Sequence, residues 1–427
     1  MRALGYVVRF ATIVVVMGHG LLEYAVGWAA ILGEEGEADK REHLAGRILR
    51  ETMSVLGATF IKLGQVMSTR PDLFAPAVIA ELKLLQDRLP PFDGRLARRE
   101  VERALGRPLE EVFSEFDVEP VAAASVAQVH RARLVSGAEV AVKVLRPDVR
   151  DKTERDGSIL LTMARFAERL SGAARHANLV GHAEHFLDGV LAQTDLRIEA
   201  QNYEVFRANF ASTPKVVFPH VYPEASAERA MTMDFCRGHK VDALPLAIRA
   251  DTATRLRQAF LKMLFEDGFL HADLHPGNLL VDDDGVIMIF DVGLAKRMND
   301  DLLEQYIDFN RCLVMGSSED FVSHLRRYHS YIDGVVDWDR LTVDAQAYVS
   351  GFRGKPASEL EFGAMIEGVF ALARRYGVRP VTDMTLIMVG LVTSEGIGKQ
   401  LSPESDSFGE VATYLMPILA RRGMLPS

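Results

Sequence analysis

Two carboxylates and one amide in the second half of the chain have the residue types and the spacing that phosphoryl transfer requires. Asp273 lies in a turn-rich segment, Asn278 follows five positions later, and Asp291 comes thirteen positions after that, at the end of an apolar run. The reaction needs a carboxylate that orients the attacking hydroxyl or water, and hard oxygen ligands for Mg²⁺. Asp273 suits the first task, and Asn278 and Asp291 suit the second. Each residue alone is equally compatible with an ordinary turn or strand end, but the joint spacing favours the functional interpretation.

An upstream lysine extends this pattern, which is the spacing found in protein kinases. Lys143 ends the alternating apolar segment 140–143, and in a kinase such a lysine pairs with phosphate oxygens and is held by a glutamate from a helix. Glu199 is the candidate partner because it lies in a predicted helix at the right place in the order of elements. A lone lysine on a strand is usually only solvated, so the assignment of Lys143 depends on the downstream residues.

The segment expected to cover the phosphates differs from that of ordinary kinases. Their G-x-G-x-x-G loop lets bare backbone approach the nucleotide, whereas residues 122–128 contain no glycine. Added methyl groups restrict the backbone, so we expect a different nucleotide pose or rate. An Ala-Pro-Glu motif is also missing after Asp291, which makes peptide phosphorylation less favoured. The residues of this alanine-rich segment predicted to contact nucleotide, together with Lys143, are Ala123, Ala124, Ser125 and Val126.

The pattern of elements predicts an α+β fold with an all-helical amino-terminal part. Apolar periodicity and breaker residues predict the order of elements. Helices are expected at 34–69, 76–88, 93–105, 148–171 and 178–210, and after 251, with strands in 126–132, 139–144, 229–234 and 279–290. The domains predicted from this order are an apolar helix (1–33), a helical extension (34–115), a small lobe (116–236) and a helical large lobe (237–427).

Composition excludes several classes of protein. The 427 residues carry a formal charge of −10, so a global positive field that would attract nucleic acid is absent. The apolar fraction of 48% and charged fraction of 25% are typical of a globular chain. Cys236 and Cys312 are far apart and fit neither a disulfide framework nor a zinc knuckle, which indicates a reducing compartment.

The amino terminus contains an apolar stretch, residues 10–33, that is long enough to span a bilayer. Glu23 and His19 interrupt it, and a carboxylate inside a membrane is costly. Arg2 and Arg9 would keep the preceding end in the cytoplasm, so a single crossing would separate the catalytic part from ATP. We therefore expect a monotopic helix at the cytoplasmic side of the membrane. The alternative is a helix packed on the body of a cytoplasmic protein.

Taken together, these features resemble the UbiB/AarF family of atypical kinase-like proteins, also called the coenzyme Q kinase-like family. The most specific element is residues 60–65, where Lys62, Gly64 and Gln65 match the family's K-x-G-Q signature. The alanine-rich segment 122–128 matches as well. The resemblance covers about residues 40–405.

The resemblance implies a protein-kinase-like bilobal fold that binds ATP or ADP with Mg²⁺ between its lobes, with Lys62 and Gln65 regulating access. It implies an ATPase that supports ubiquinone or isoprenoid-lipid biosynthesis or membrane lipid handling; a phosphotransferase acting on a small-molecule or lipid hydroxyl and a pseudokinase scaffold stay open. Implied partners are membrane lipids, quinone intermediates and lipid-biosynthesis enzymes, and a homodimer stays open. The family's E-x-D pair, whose glutamate holds the signature lysine, aligns with Gln193 and Asp195, so we expect Lys62 to be held less firmly here.

Overall fold

The computed structural model describes residues 2–70, 74–85, 90–172, 178–315, 317–329, 331, 334–352, 362–379 and 382–424. The chain divides into two compact units. The first unit combines Met1–Thr69, Phe74–Glu204 and Pro219–Phe235, and the second combines Arg70–Leu73, Val205–Phe218 and Cys236–Ser427. Both units therefore contain segments that are distant in sequence.

Helices dominate the amino-terminal region, as predicted. The helices that begin before residue 200 are α1 (Arg2–Ile31), α2 (Glu37–Leu56), α3 (Ala58–Ser68), α4 (Pro76–Leu82), α5 (Gly94–Leu105), α6 (Val149–Leu170), α7 (Leu179–Ala192) and α8 (Leu196–Asn209). The prediction of one helix over 34–69 was wrong, because Gly57 adopts φ 91° and ψ −163° between α2 and α3, a conformation that only glycine enters easily. The segment 178–210 is likewise two helices, interrupted at 193–195.

The sheet of the first unit has four antiparallel strands. They are β1 (Phe113–Ala123), β2 (Ala127–Leu134), β3 (Glu139–Leu145) and β5 (Ala230–Asp234), in the order β1-β2-β3-β5. Strand β1 was not predicted. Val101 of α5 shares a core with Phe113, Val140 and Val142, and a Cβ on Gly94 would lie 1.9 Å from the carbonyl oxygen of Val118. Helix α5 therefore packs directly on the sheet.

The second unit contains short strands among helices. Its strands are β4 (Val216–Val217), β6 (Phe269–His271), β7 (Leu279–Val281), β8 (Ile287–Ile289) and β9 (Ala295–Arg297). Its helices are α9 (Leu246–Phe265), α10 (Asp300–Met315), α11 (Ser318–Tyr328), α12 (Trp338–Ser350), α13 (Phe362–Arg375), α14 (Thr382–Leu401) and α15 (Ser407–Arg421). Strand β8 lies between β4 and β7, and β6 pairs with β9. These pairings fix the loops that carry Asp273 and Asp291.

One face of helix α1 is packed on the first unit. A Cβ on Gly20 would lie 2.7 Å from the hydroxyl of Thr52, and one on Gly27 would lie 2.8 Å from Leu44, so both glycines allow close approach to α2. Arg9 donates to the buried Asp156 at 2.7 and 2.8 Å. The guanidinium therefore anchors α1 to α6.

The opposite face of α1 is apolar and exposed. By length and composition the helix could cross a membrane. Only 11% of its most apolar stretch is buried inside the protein, so most of that stretch is exposed. The side chains on this face that are more than 60% exposed are Val7, Val15, Leu21, Leu22 and Val26. Glu23, the carboxylate within the apolar run, lies 3.5 Å from Arg47 of α2. Arg9 and Glu23 thus face the protein body.

Candidate functional site

The first unit contains a buried ion pair between Lys143 and Glu199. The Lys143 Nζ lies 2.8 Å from both carboxylate oxygens of Glu199, and the two side chains are 12% and 6% exposed. Lys143 sits in β3 between Val129 of β2 and Met231 of β5, so the sheet fixes its backbone. The sequence placed these two residues as partners, and they are in contact.

The alanine-rich segment forms the tight turn between β1 and β2. The Ala124 amide donates to the Ala127 carbonyl at 2.8 Å, and the Arg146 Nε donates to the Ala124 carbonyl at 2.9 Å. The backbone amide of Arg146 donates to the Val126 carbonyl at 2.8 Å. Ser125 is fully buried, and its hydroxyl has no hydrogen-bond partner among the described residues. An unpaired buried hydroxyl is unfavourable, so a ligand oxygen at this turn would satisfy it.

Gln128 and His130 connect this turn to the segment that precedes α5. Gln128 accepts from the Phe92 amide at 3.0 Å and donates to the Phe92 carbonyl at 3.2 Å. Its Nε2 lies 2.8 Å from His130 Nε2, which must accept, so His130 Nδ1 carries the proton and donates to the Asp117 carbonyl at 2.8 Å. Burial lowers the pKa of His130, which keeps the ring neutral.

Sequence reasoning missed the roles of Gln128, His130 and Arg146, although a signal was present for Gln128 and His130. Gln128 and His130 occupy alternate positions of β2 that face the interior together with Ala132 and Leu134. Polar side chains at core-facing positions need buried partners. The alternation therefore indicates a buried polar network beside the predicted nucleotide turn.

In the second unit, His271 joins the two segments that carry the predicted catalytic carboxylates. The ring is fully buried, its Nε2 lies 3.0 Å from the Phe290 carbonyl, and its Nδ1 accepts from the Asp273 amide at 3.2 Å. Nε2 therefore carries the proton. Burial lowers the pKa of His271, which favours this neutral form. The His271 ring thus connects the backbone of Asp273 to that of Phe290, the residue before Asp291.

Asn278 provides a second connection between these segments. The side-chain Nδ2 of Asn278 donates to the Asp273 carbonyl at 3.0 Å, and the backbone carbonyl of Asn278 accepts from the Phe290 amide at 2.9 Å. The amide oxygen then remains as the atom that could ligate a cation. Asp291 is exposed and has φ 52°, a left-handed backbone that Asp tolerates better than most residues. Amide and carboxylate oxygens fit the preference of Mg²⁺.

The K-x-G-Q segment lies on α3 in the first unit. A Cβ on Gly64 would lie 2.2 Å from Leu85 and 2.6 Å from the sulfur of Met53, so glycine is required by packing. Gln65 Nε2 lies 3.5 Å from the Leu85 carbonyl, and its buried Oε1 has no partner among the described residues. Lys62 is half-buried on the same helix. The regulatory role expected for Lys62 and Gln65 stays a prediction.

Gln193 and Asp195 lie in the break between α7 and α8. Gln193 is the carboxy-terminal cap of α7. Asp195 accepts from the Arg197 guanidinium at 2.7 and 2.9 Å, and this hydrogen-bonded arginine holds the pKa of the Asp195 carboxyl below its usual range. Helix α7 packs against α3, the helix that carries the K-x-G-Q segment, within one unit.

Two known protein domains match the sequence. The ABC1 atypical kinase-like domain matches residues 84–324, and the UbiB helical domain matches residues 346–406. A relative from Aliivibrio fischeri (strain ES114), named probable protein kinase UbiB, is 32% identical over 391 residues, covering 89% of this chain and 72% of the relative. A protein of the same name from Cronobacter sakazakii is 33% identical over 392 residues, covering 87% of this chain and 70% of the relative.

A solved structure is similar in fold. It is the complex of Rv3197 with erythromycin from Mycobacterium tuberculosis, with a TM-score of 0.57 and 22% identity. The match covers 79% of this chain and 87% of that one. The predicted kinase-like α+β fold with its helical amino-terminal region is confirmed.

Proposed function

Because the chain belongs to the UbiB family of atypical kinase-like proteins, we propose that it binds ATP with Mg²⁺ and hydrolyses it in support of ubiquinone or other isoprenoid-lipid biosynthesis. The observation that carries the proposal is the buried, two-oxygen contact between Lys143 and Glu199. A buried lysine fixed in this way presents its charge in one place, as phosphate binding requires. The buried hydroxyl of Ser125 adds a second group suited to a phosphate oxygen.

The residues of the second unit suit the chemical step. Asn278 and Asp291 would hold Mg²⁺, which when bound supplies positive charge to the phosphate oxygens. Asp273 would orient the attacking water, and the hydrogen bond from its amide to His271 holds its backbone. The same residues would serve a transferase that uses a lipid or small-molecule hydroxyl in place of water.

The test is nucleotide binding and turnover by the purified full-length chain in Mg²⁺. We expect calorimetry to detect ATP binding and Asp291→Asn to weaken it severely. Asp284→Asn is the control: it changes an exposed aspartate on the β7–β8 turn and should leave ATP binding unaffected. Release of inorganic phosphate supports the ATPase, and a phosphorylated compound formed from a lipid extract selects the transferase. A folded wild-type chain that binds no adenine nucleotide would contradict both.

The link to quinone synthesis has its own test. A strain lacking the gene should lose isoprenoid quinones and regain them with the wild-type chain but not with Asp291→Asn. Rescue by the variant would indicate a scaffold that works without metal-dependent turnover.

We also propose that α1 lies in the membrane interface on the cytoplasmic side. The support is its exposed apolar face together with inward-facing Arg9 and Glu23, both of which are paired with the protein body. If α1 crossed the membrane, Arg9 and Glu23 would have to leave their partners and enter hydrocarbon as unpaired charges, which is costly. Leu22→Glu should abolish flotation with anionic vesicles, whereas Val343→Glu, on the exposed face of α12, should not. Equal flotation of both variants would contradict this placement.

A further inference from the structure

A compact group of nitrogen, oxygen and sulfur ligands lies between α10 and α11 in the second unit, apart from the residues assigned above. Asp308 and Cys312 are four positions apart on α10 and therefore share a face, and His324 approaches from α11. One ligand atom from each residue lies within 4.8 Å of the other two. Cys312 is 2% exposed and the His324 side chain is fully buried.

An unpartnered nitrogen beside this group points to a missing ligand. His329 Nδ1 is buried and has no hydrogen-bond partner among the described residues. The ring of His329 lies 5.5 Å from that of His324, edge to face, and His329 is 9% exposed. Buried imidazole nitrogens are normally paired or bound to metal, so packing alone does not account for His329 Nδ1.

Asp308 is oriented as a metal-binding carboxylate would be. Its Oδ1 accepts from the Arg311 guanidinium at 2.9 Å, while its Oδ2 lies 2.8 Å from His324 Nδ1. Carboxylate ligands are commonly held by such a second contact. Two ligand atoms on one tetrahedral zinc are roughly 3.3 Å apart, since each bond is about 2.0–2.1 Å. Binding therefore requires an opening of about half an ångström between the two atoms.

We propose that Asp308, Cys312 and His324 bind a zinc-type divalent cation, with His329 or water as the fourth ligand. A thiolate and an imidazole favour zinc over Mg²⁺ or Ca²⁺. The cation takes the place of the hydrogen between Asp308 and His324, the ring proton shifts to Nε2, and the thiol proton passes to solvent. Such a site would fasten α11 to α10.

The test uses Co²⁺ as a spectroscopic substitute for Zn²⁺ on the full-length chain, with Mg²⁺ in excess. The Co²⁺-loaded chain should show a thiolate-to-cobalt charge-transfer band and tetrahedral ligand-field bands. In a separate sample loaded with Zn²⁺, about one equivalent of Zn²⁺ should remain after dialysis. The band should vanish in Cys312→Ser and weaken in His324→Gln. Cys236→Ser is the matched control and should keep it.

The wild-type spectrum decides the proposal even if a variant fails to fold, which circular dichroism would reveal. A folded wild-type chain that gives no thiolate band, or retains no zinc, overturns the assignment. A band that persists in folded Cys312→Ser, or that disappears in Cys236→Ser, also overturns it. The residues predicted to bind Mg²⁺ include no cysteine, so they cannot produce the band.

Discussion

The two groups of predicted site residues are held in place by different kinds of contact. In the second unit, backbone hydrogen bonds, the ring of His271 and the amide of Asn278 fix Asp273 and the segment before Asp291, and all lie within a short stretch of sequence. In the first unit, Lys143 meets Glu199 across 56 positions of the chain. Local spacing thus positions the groups proposed for the chemical step, whereas long-range packing positions the lysine proposed to bind phosphate.

The sharpest test of this comparison separates turnover from binding. Asp273→Asn should lower the rate of ATP hydrolysis by about a hundredfold or more, because it removes the base that orients water, and should leave ATP affinity nearly unchanged. Measuring turnover and calorimetric affinity on the same preparation checks this. An equal loss in both would mean that Asp273 acts on binding.

The second test concerns the long-range pair. Glu199→Gln removes the carboxylate that neutralises a buried lysine, so the free energy of unfolding should fall by about 3–5 kcal/mol and ATP should bind more weakly. Urea denaturation measures the first effect. Glu34→Gln is the control, since its pair with Lys40 is about half exposed and should contribute less than about 1 kcal/mol. Similar losses in the two variants would remove the special role of the Lys143–Glu199 pair.

The third test uses pH. Burial lowers the pKa of His130, beside Asp117 and Glu119, in the folded chain. As the pH is lowered through about 6.5, His130 binds a proton in the unfolded chain but not in the folded chain. The free energy of unfolding should therefore decrease as the pH is lowered further, by at most about 1.4 kcal/mol per pH unit from this residue. The dependence should be shallower in His130→Gln and not abolished, because burial also lowers the pKa of His271, and of His329 to about 3. An unchanged slope would contradict the prediction.

The smallest effect is expected at the K-x-G-Q helix. Gln193→Glu restores the carboxylate that the family has at this position and should change ATP turnover by only a few fold, through firmer holding of Lys62. The control is Gln346→Glu on α12, which lies outside the first unit. If the two variants hydrolyse ATP at the same rate, the prediction that Gln193 holds Lys62 less firmly than a glutamate would lose its support.

The caps of helix α5 were read correctly from the sequence, whereas strand β1 and the contacts of Arg146 were not; the Lys143–Glu199 pair is the long-range contact that was predicted. The helix predicted over 93–105 is α5, Gly94–Leu105; Asp93 caps it and Gly106 ends it, and both act within one turn. Strand β1 was missed because its pairing with β2 contains several register shifts, so it lacks clean alternation. The contacts of Arg146 with the Ala124 and Pro90 carbonyls also escaped prediction, since a lysine or arginine after a strand gives no indication of its partner.

The left-handed backbone at Asp291, with φ 52°, determines how genetic experiments on this residue should be designed. Asparagine shares the tolerance of aspartate for this conformation and nearly the same volume, so Asp291→Asn removes charge and little else. Alanine adds a steric penalty of roughly 1–2 kcal/mol in such a backbone. An alanine allele that fails to complement would therefore mix reduced protein abundance with lost metal binding, and immunoblotting of both alleles would separate the two.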